Sequence, residues 1–594
     1  MRAALQTSAF VLFAALWALL ELATANVLTR CLVLWTLLTA VWLAIEIAAR
    51  TSPPDAAAKW IARALPAEKP RFLAARRVFA FALGGIFLVA FWSWGSQVRG
   101  LVGGHGLIPV GEQLTSARAA GISFWQMPSL SWLAEGDFML LAQCWLGALL
   151  AIAMCAGFFP GACALLCWAL YLSLMTVGES FANFQWDALL LETSLLAALW
   201  LPWRARPDWA EETLAQKIGR WLLWWLFVRM ILESGIVKLT WGDQTWLGYS
   251  ALDWHFETQP LPLWTSWYAH HAPRWMLRAA CWLTYFTEIA TPALLLAPSR
   301  WRFLRHGAVT LHVLLQFGIM ATGNYTYFNW LTIALCVPFL DDAFRGFRKL
   351  RPPVPEDKPH HWWPLIPAGT LALASLCLTF GGFSGAFAGL AGQEAEMRRM
   401  REEYQRTKKN PGQPWLAPLR SFNGYGLFRT MTLTRPEFVL EGSSDGVNWH
   451  EYEFPYKAGD IYRRPALVAP FQPRLDWQMW FAALSPQHYS YLLSGSCAAC
   501  SKANRACSHC WKKIRSHPFP RASYASASTT TASRAPRITA PRGGSASFAA
   551  RPRRSRWIIS AADQPHSTLR SHPRAHALQI ECFLPMSRQK PTQP

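Results

Sequence analysis

The feature that most constrains this chain is a succession of apolar runs, many of them about 18 residues or longer and so able to cross a bilayer. Inside a bilayer every backbone N–H and C=O must be satisfied within the chain, so such runs fold as helices. They fall near 8–25, 28–49, 78–97, 138–158, 161–177, 184–200, 221–239, 276–297, 307–322, 327–341 and 364–391. The expectation is an α-helical polytopic membrane protein of about eleven spans. The first run also ends in Ala23-Thr24-Ala25, a signal-peptide cleavage pattern, although the apolar pattern resumes at once. The 34 Trp among 594 residues exceed what soluble domains carry, and Trp at run ends suits the membrane–water interface.

The formal charge of +22 invites a nucleic-acid reading, but its placement argues against one. Residues 494–594 hold 17 Lys/Arg against 2 Asp/Glu, most of the excess. The other basic clusters lie between apolar runs: Arg50 to Arg77, Arg204/Arg206, Arg300/Arg302/Arg305 and Arg345/Arg348/Lys349/Arg351. All fall on one side of the bilayer, which the positive-inside rule makes cytoplasmic. That leaves 98–137, 178–184, 240–275 and everything after about 392 outside.

Five ionisable residues interrupt apolar runs: Asp187, Glu192, Arg229, Glu233 and Lys238. Such groups cost several kcal/mol at membrane depth unless paired or wetted. Arg229 and Glu233 are four apart and can meet on one helix face. A structural reading is an ion pair plus a snorkelling lysine. A functional one is a buried polar centre that holds helices in register or binds a partner's polar group; a proton relay is a third. Glu288, His312 and Gln316 are lone polar groups in apolar helices, where interhelical hydrogen bonding is the default. Asp253, His255 and Glu257 alternate; on a strand they would share a face as a metal or acid–base cluster, and otherwise they form a wet loop surface. The sequence has no Gly-x-Ser-x-Gly elbow, His-Glu-x-x-His or Walker loop, and implies no cofactor.

The texture changes after a charged linker at 392–412. Apolar and polar residues alternate in 426–432, 437–442 and 450–454, with a Ser443-Ser444-Asp445-Gly446 turn. This reads as a small extracytoplasmic β-sandwich-like domain over 413–493. From 494 onward composition predicts a disordered basic tail or a frameshift product, since reading one base earlier permits helix- and strand-like sequence there and leaves the β domain truncated. Cys497, Cys500, Cys507 and Cys510 form two CxxC pairs only six residues apart, too close for the usual zinc ribbon, and are rejected as a metal site.

Several stretches resemble one family, the lipase maturation factors. They are Ser234-Gly235-Ile236-Val237-Lys238-Leu239 and the run from Ala251 to Pro262, which holds Asp253, Trp254, His255, Glu257 and Gln259. Asn183 to Thr193, Tyr425 to Arg429 and Arg435-Pro436-Glu437 add to it, as does Ala469 to Leu484 with Arg474, Asp476, Trp477 and Trp480. Phe471 departs from the family, which usually has His there. The resemblance implies a non-catalytic membrane protein assisting the folding of secreted lipases. It would sit in the endoplasmic reticulum membrane of a eukaryote or the cytoplasmic membrane of a bacterium. Its partners would be membrane lipid and a secreted lipase or other exported client, held by the outer loop and the β domain. The domain reading is 1–76 as hairpin and basic loop, 77–391 as transmembrane domain, then linker, β domain and tail. The rival class is a membrane enzyme or transporter using the buried carboxylates and lysine.

Overall fold

The computed structural model describes residues 70–205, 209, 212–297, 301–347, 349–350, 364–388, 416–442, 450–460, 462–485, 555–559 and 578–582. The first apolar hairpin, the 392–412 linker, the 443–446 turn and the four tail cysteines lie outside these residues.

The described chain is mostly helical. The helices are α1 (Leu73–Leu101), α2 (Val110–Ala119), α3 (Asp137–Cys155), α4 (Pro160–Gly178), α5 (Gln185–Trp200) and α6 (Leu214–Thr240). They continue as α7 (Ala251–Thr258), α8 (Trp264–His270), α9 (Arg274–Tyr285), α10 (Arg302–Met320), α11 (Phe328–Cys336) and α12 (Leu365–Ala388). Helices α1, α3, α4, α5 and α6 pack in that order, α12 lies on α6, and α10 pairs with α11. Among the described residues, three helical stretches are both long and apolar enough to cross a membrane: Leu73–Leu101, Asp137–Cys155 and Pro160–Ala182. Helix α6 is as long, but Arg229, Glu233 and Lys238 interrupt its apolar character.

Helix ends are fixed by specific caps. The Asp342 carboxylate accepts from Leu73 N (3.2 Å) and Ala74 N (2.9 Å), satisfying two orphan donors of α1 from a distant part of the chain. Thr213 and Gln216 form a capping box at the start of α6. Within the bundle, Gly147 of α3 lies against the Phe91 ring of α1, where any Cβ would collide. The run expected as a span at 276–297 is helical to Leu295 and widens at a π-helical turn, Phe286–Ala290, which carries Glu288.

Beyond residue 416 the chain lies back over the bundle. It contains strands β1 (Phe438–Gly442) and β2 (His450–Tyr452), helix α13 (Arg474–Leu484) and much irregular backbone. β1 and β2 pair antiparallel with Leu440 opposite Tyr452, and the short strands Ser555–Ile559 and Leu578–Cys582 extend one sheet beyond β1. No second sheet is found among the described residues. The strand expected at 426–432 is irregular backbone instead. Phe428 adopts a left-handed conformation (φ 54°), its ring packs on His255 and Tyr325, and its carbonyl accepts from Trp246 Nε1 (2.7 Å). Alternation there reflects contact with the helices, not pairing with a neighbouring strand.

Candidate functional site

The buried polar residues do not form one centre. They form separate anchors, most of which tie the returning C-terminal segment to the helices. The first joins α5 to α13. Arg474 and Asp187 are fully buried and pair at 3.0 Å. Asp187 also accepts from Tyr171 and from Tyr327 (2.7 Å), and the Arg474 guanidinium lies 3.9 Å from the Trp94 ring centre and donates to the Phe181 carbonyl. An ion pair at this depth stabilises only when most of its remaining hydrogen-bonding capacity is met; the two tyrosines and the carbonyl do so for all but the Arg474 Nε, which has no acceptor among the described residues.

The second anchor joins α5, α6 and residues 423–425. Arg229 does not bond Glu233, as their spacing suggested; it donates to Glu192 on α5 and to the Asn423 carbonyl. Glu192 also accepts from the Tyr425 hydroxyl (2.7 Å) and from Asn423 N (3.2 Å). Glu233 accepts from Tyr425 N (2.7 Å). Lys238 stands apart: it pairs with Glu288 of the π turn (2.7 Å), donates to Ser234 O, and lies 5.3 Å from the Trp246 ring. The other lone polar groups in the helices are likewise paired, His312 with Thr291 (2.8 Å) and Gln316 with Asn329 (2.7 Å).

The outer-loop motif is helical, so Asp253, His255 and Glu257 do not share a strand face. Asp253 and Trp254 are half-buried in α7. His255 turns to the Tyr325 hydroxyl (3.0 Å), and burial with the nearby Lys238 charge pushes its imidazole down to about 4, so the ring is neutral at physiological pH. Glu257 lies 3.6 Å from His270. Gln259 accepts from Tyr325 (2.7 Å) and donates to Thr322 O (2.8 Å). Arg435 caps this turn by donating to the carbonyls of Glu257 (2.8 Å), Gln259 and Pro260 (3.0 Å), and its Nε binds Glu437, which also pairs with Lys457. Trp480 donates to Thr258 O (3.1 Å), and Trp477 stacks edge-on against Trp186 (4.8 Å). The Asp476 carboxylate accepts from Tyr456 N and Lys457 N, and burial pushes it up to about 6. Phe471, the departure from the resemblance, faces the Tyr456 ring.

Stretches that read as separate motifs therefore meet. Sequence reasoning missed Tyr171, Tyr325, Tyr327, Asn324 and the Ser93/Gln97 pair as members. Asn324 bonds the backbone of 466–469, and Ser93 and Gln97 bond Gln472 and Arg474 N. The available signal was polar side chains at the ends of apolar runs. Among the described residues no group of three His, Cys, Asp or Glu side chains is placed to hold a metal.

Around these anchors large apolar side chains stay exposed. Phe124, Trp125 and Leu133 lie between α2 and α3 and Phe138 at the start of α3, Trp264, Trp267, Tyr268 and Trp275 lie on α8–α9, and Leu433, Tyr462 and Leu467 lie on the returning segment.

Comparison with known sequences agrees with the early resemblance. The family profile of the lipase maturation factor transmembrane domain matches residues 74–347, and that of the lipase maturation factor C-terminal domain matches 421–522. Human lipase maturation factor 2 is 32% identical over 522 residues, covering 70% of this chain and 72% of that protein. The chain belongs to the lipase maturation factor family. Mouse lipase maturation factor 1 is 30% identical over 479 residues, covering 70% of this chain and 76% of its own length. The Xenopus tropicalis lipase maturation factor 2 is 33% identical, with the same coverage as the human protein. No solved structure matches. As a family member this is a membrane protein and a maturation factor, not an enzyme.

Proposed function

We propose that this protein assists the folding of a secreted lipase, or a similar exported client, on the outer side of its membrane. The observation that carries the reading is the docking of the C-terminal segment. Its anchors, Gln97, Phe181, Asp187, Thr258, Gln259 and Asn324, lie at or near helix ends that charge distribution assigns to the outer side. That pattern supports about eleven spans, with residues after 392 outside and the arginine clusters within. On this reading the exposed aromatic rings of the 98–137 loop, of α8–α9 and of the C-terminal segment face the compartment where exported proteins fold. Aromatic patches of this kind suit transient binding of an unfinished apolar surface. The family supports the client class, since the relatives are named for lipases.

The rival enzyme or transporter reading needs an accessible polar centre. Asp187, Glu192 and Arg229 are instead engaged by the chain's own Arg474, Tyr425 and Asn423. The test is co-expression with a secreted lipase, comparing active enzyme with total lipase antigen. Specific activity rises at constant antigen if the proposal holds. No change across several lipases rejects it.

A further inference from the structure

The second anchor is unbalanced in charge. Two buried carboxyl groups, Glu192 and Glu233, share its interior with a single guanidinium, Arg229. Arg229 directs Nη2 to Glu192 and Nη1 to the Asn423 carbonyl, and bonds nothing of Glu233. Glu233 is 1% exposed; one oxygen accepts from Tyr425 N and the other, Oε1, has no partner among the described residues.

Among the described residues, the neighbouring elements supply no second cation that pairs with Glu233. On α5 the remaining acid, Asp187, is held by Arg474. On the π turn Glu288 is held by Lys238, which lies on α6 itself. The facing parts of α11 and α12 contain no charged residue. From the returning segment Glu233 meets Tyr425, whose hydroxyl is committed to Glu192.

An unpaired carboxylate sealed from water is strongly disfavoured, and one backbone N–H offsets only part of that cost. A neutral carboxyl group carrying its proton on Oε1 leaves Oε2 free to accept from Tyr425 N. We propose that docking of residues 423–425 between α5 and α6 takes up one proton, on Glu233, making this contact a proton-linked latch. When the segment withdraws, water enters the cleft and Glu233 releases the proton. Docking is therefore strongest at low pH and weakens as pH rises past the range of the hydrated carboxyl. This inference does not depend on the identity of the client.

The test is hydrogen exchange of the 421–429 amides in the full-length protein in lipid nanodiscs, expressed as protection factors from pH 5 to 9. Wild-type protection falls with rising pH, by up to tenfold per pH unit as required for one linked proton. Glu233→Gln, neutral at every pH and able to accept from Tyr425 N, keeps high protection with no slope. In Glu192→Gln the slope persists over a narrower range and ends at lower pH, because Arg229 is then free to stabilise the ionised Glu233 in the docked state. A flat wild-type profile overturns the proposal even if both variants fail to fold. So does a slope that survives in Glu233→Gln.

Discussion

At the scale of single residues, the buried pair of Asp187 and Arg474 carries the strongest expectation. Removing one member strands a charge among apolar side chains. Arg474→Met or Asp187→Asn should destabilise the protein by about 3–5 kcal/mol, read as a lowered thermal midpoint in detergent. The double variant should recover part of that loss; equal loss in single and double variants would argue that the pair is not coupled. Asp476 gives a pH expectation. Its folded carboxyl is raised to about 6, above its ordinary 3.8, by burial. Its contribution is thus fully present below pH 3.8 and lost as pH rises through 6, a change of ~3 kcal/mol at most. Asp476→Asn should flatten that part of the stability profile, and a profile unchanged by the substitution would show that Asp476 does not titrate there. The sequence exposed Asp187 as costly in its run but not its partner, and marked Arg474 only as part of a family-resembling stretch. Asp187 and Arg474 are 287 positions apart, and nothing local to either predicts the other. The i,i+4 spacing of Arg229 and Glu233 was a local signal, and a better-oriented carboxylate on the next helix overrode it.

At the scale of elements, helix α7 depends on Arg435. Its guanidinium satisfies carbonyls at the C-terminal end of α7 that have no intrahelical donor. Arg435→Ala should cost about 1–3 kcal/mol and speed hydrogen exchange across 251–259, with little rescue by Lys, which lacks the planar fork. Unchanged exchange there would detach the C-terminal segment from the outer loop. The contact of α6 with the π turn depends on Gly235. A Cβ there would lie 2.7 Å from Ile289 and 2.9 Å from the Glu288 Cβ. Gly235→Leu should push the turn away and loosen the Lys238–Glu288 pair, costing about 1–3 kcal/mol; a wild-type thermal midpoint would contradict this close packing. Long apolar helices were legible because their length and composition are local properties. The 426–432 stretch was misread because period-two burial arises wherever an extended chain lies along a surface, with or without a neighbouring strand. For residues 251–258 the alternation of three polar residues left a strand face and a wet loop surface as the readings, and the helix formers between them, which signalled the helix found, were passed over.

At the scale of the whole molecule, the C-terminal segment is the second half of the structure's packing, not an appendage to a membrane domain. Family membership was legible from contiguous motifs, and the structure adds that those motifs touch one another. Helices fix the anchor positions, and the segment covers them, leaving aromatic rings outward. The most direct test of the claim that this outer face engages the client is site-specific photocrosslinking during lipase secretion. A photoreactive residue would replace Trp267 or Tyr462 on the face proposed to lie outside, and Phe81 near the N-terminal end of α1 as control. The account predicts lipase adducts at Trp267 and Tyr462, none at Phe81, and loss of the outer adducts when Arg474→Met releases the segment. Absence of adducts at both outer positions, in cells where the protein still raises lipase specific activity, would contradict it.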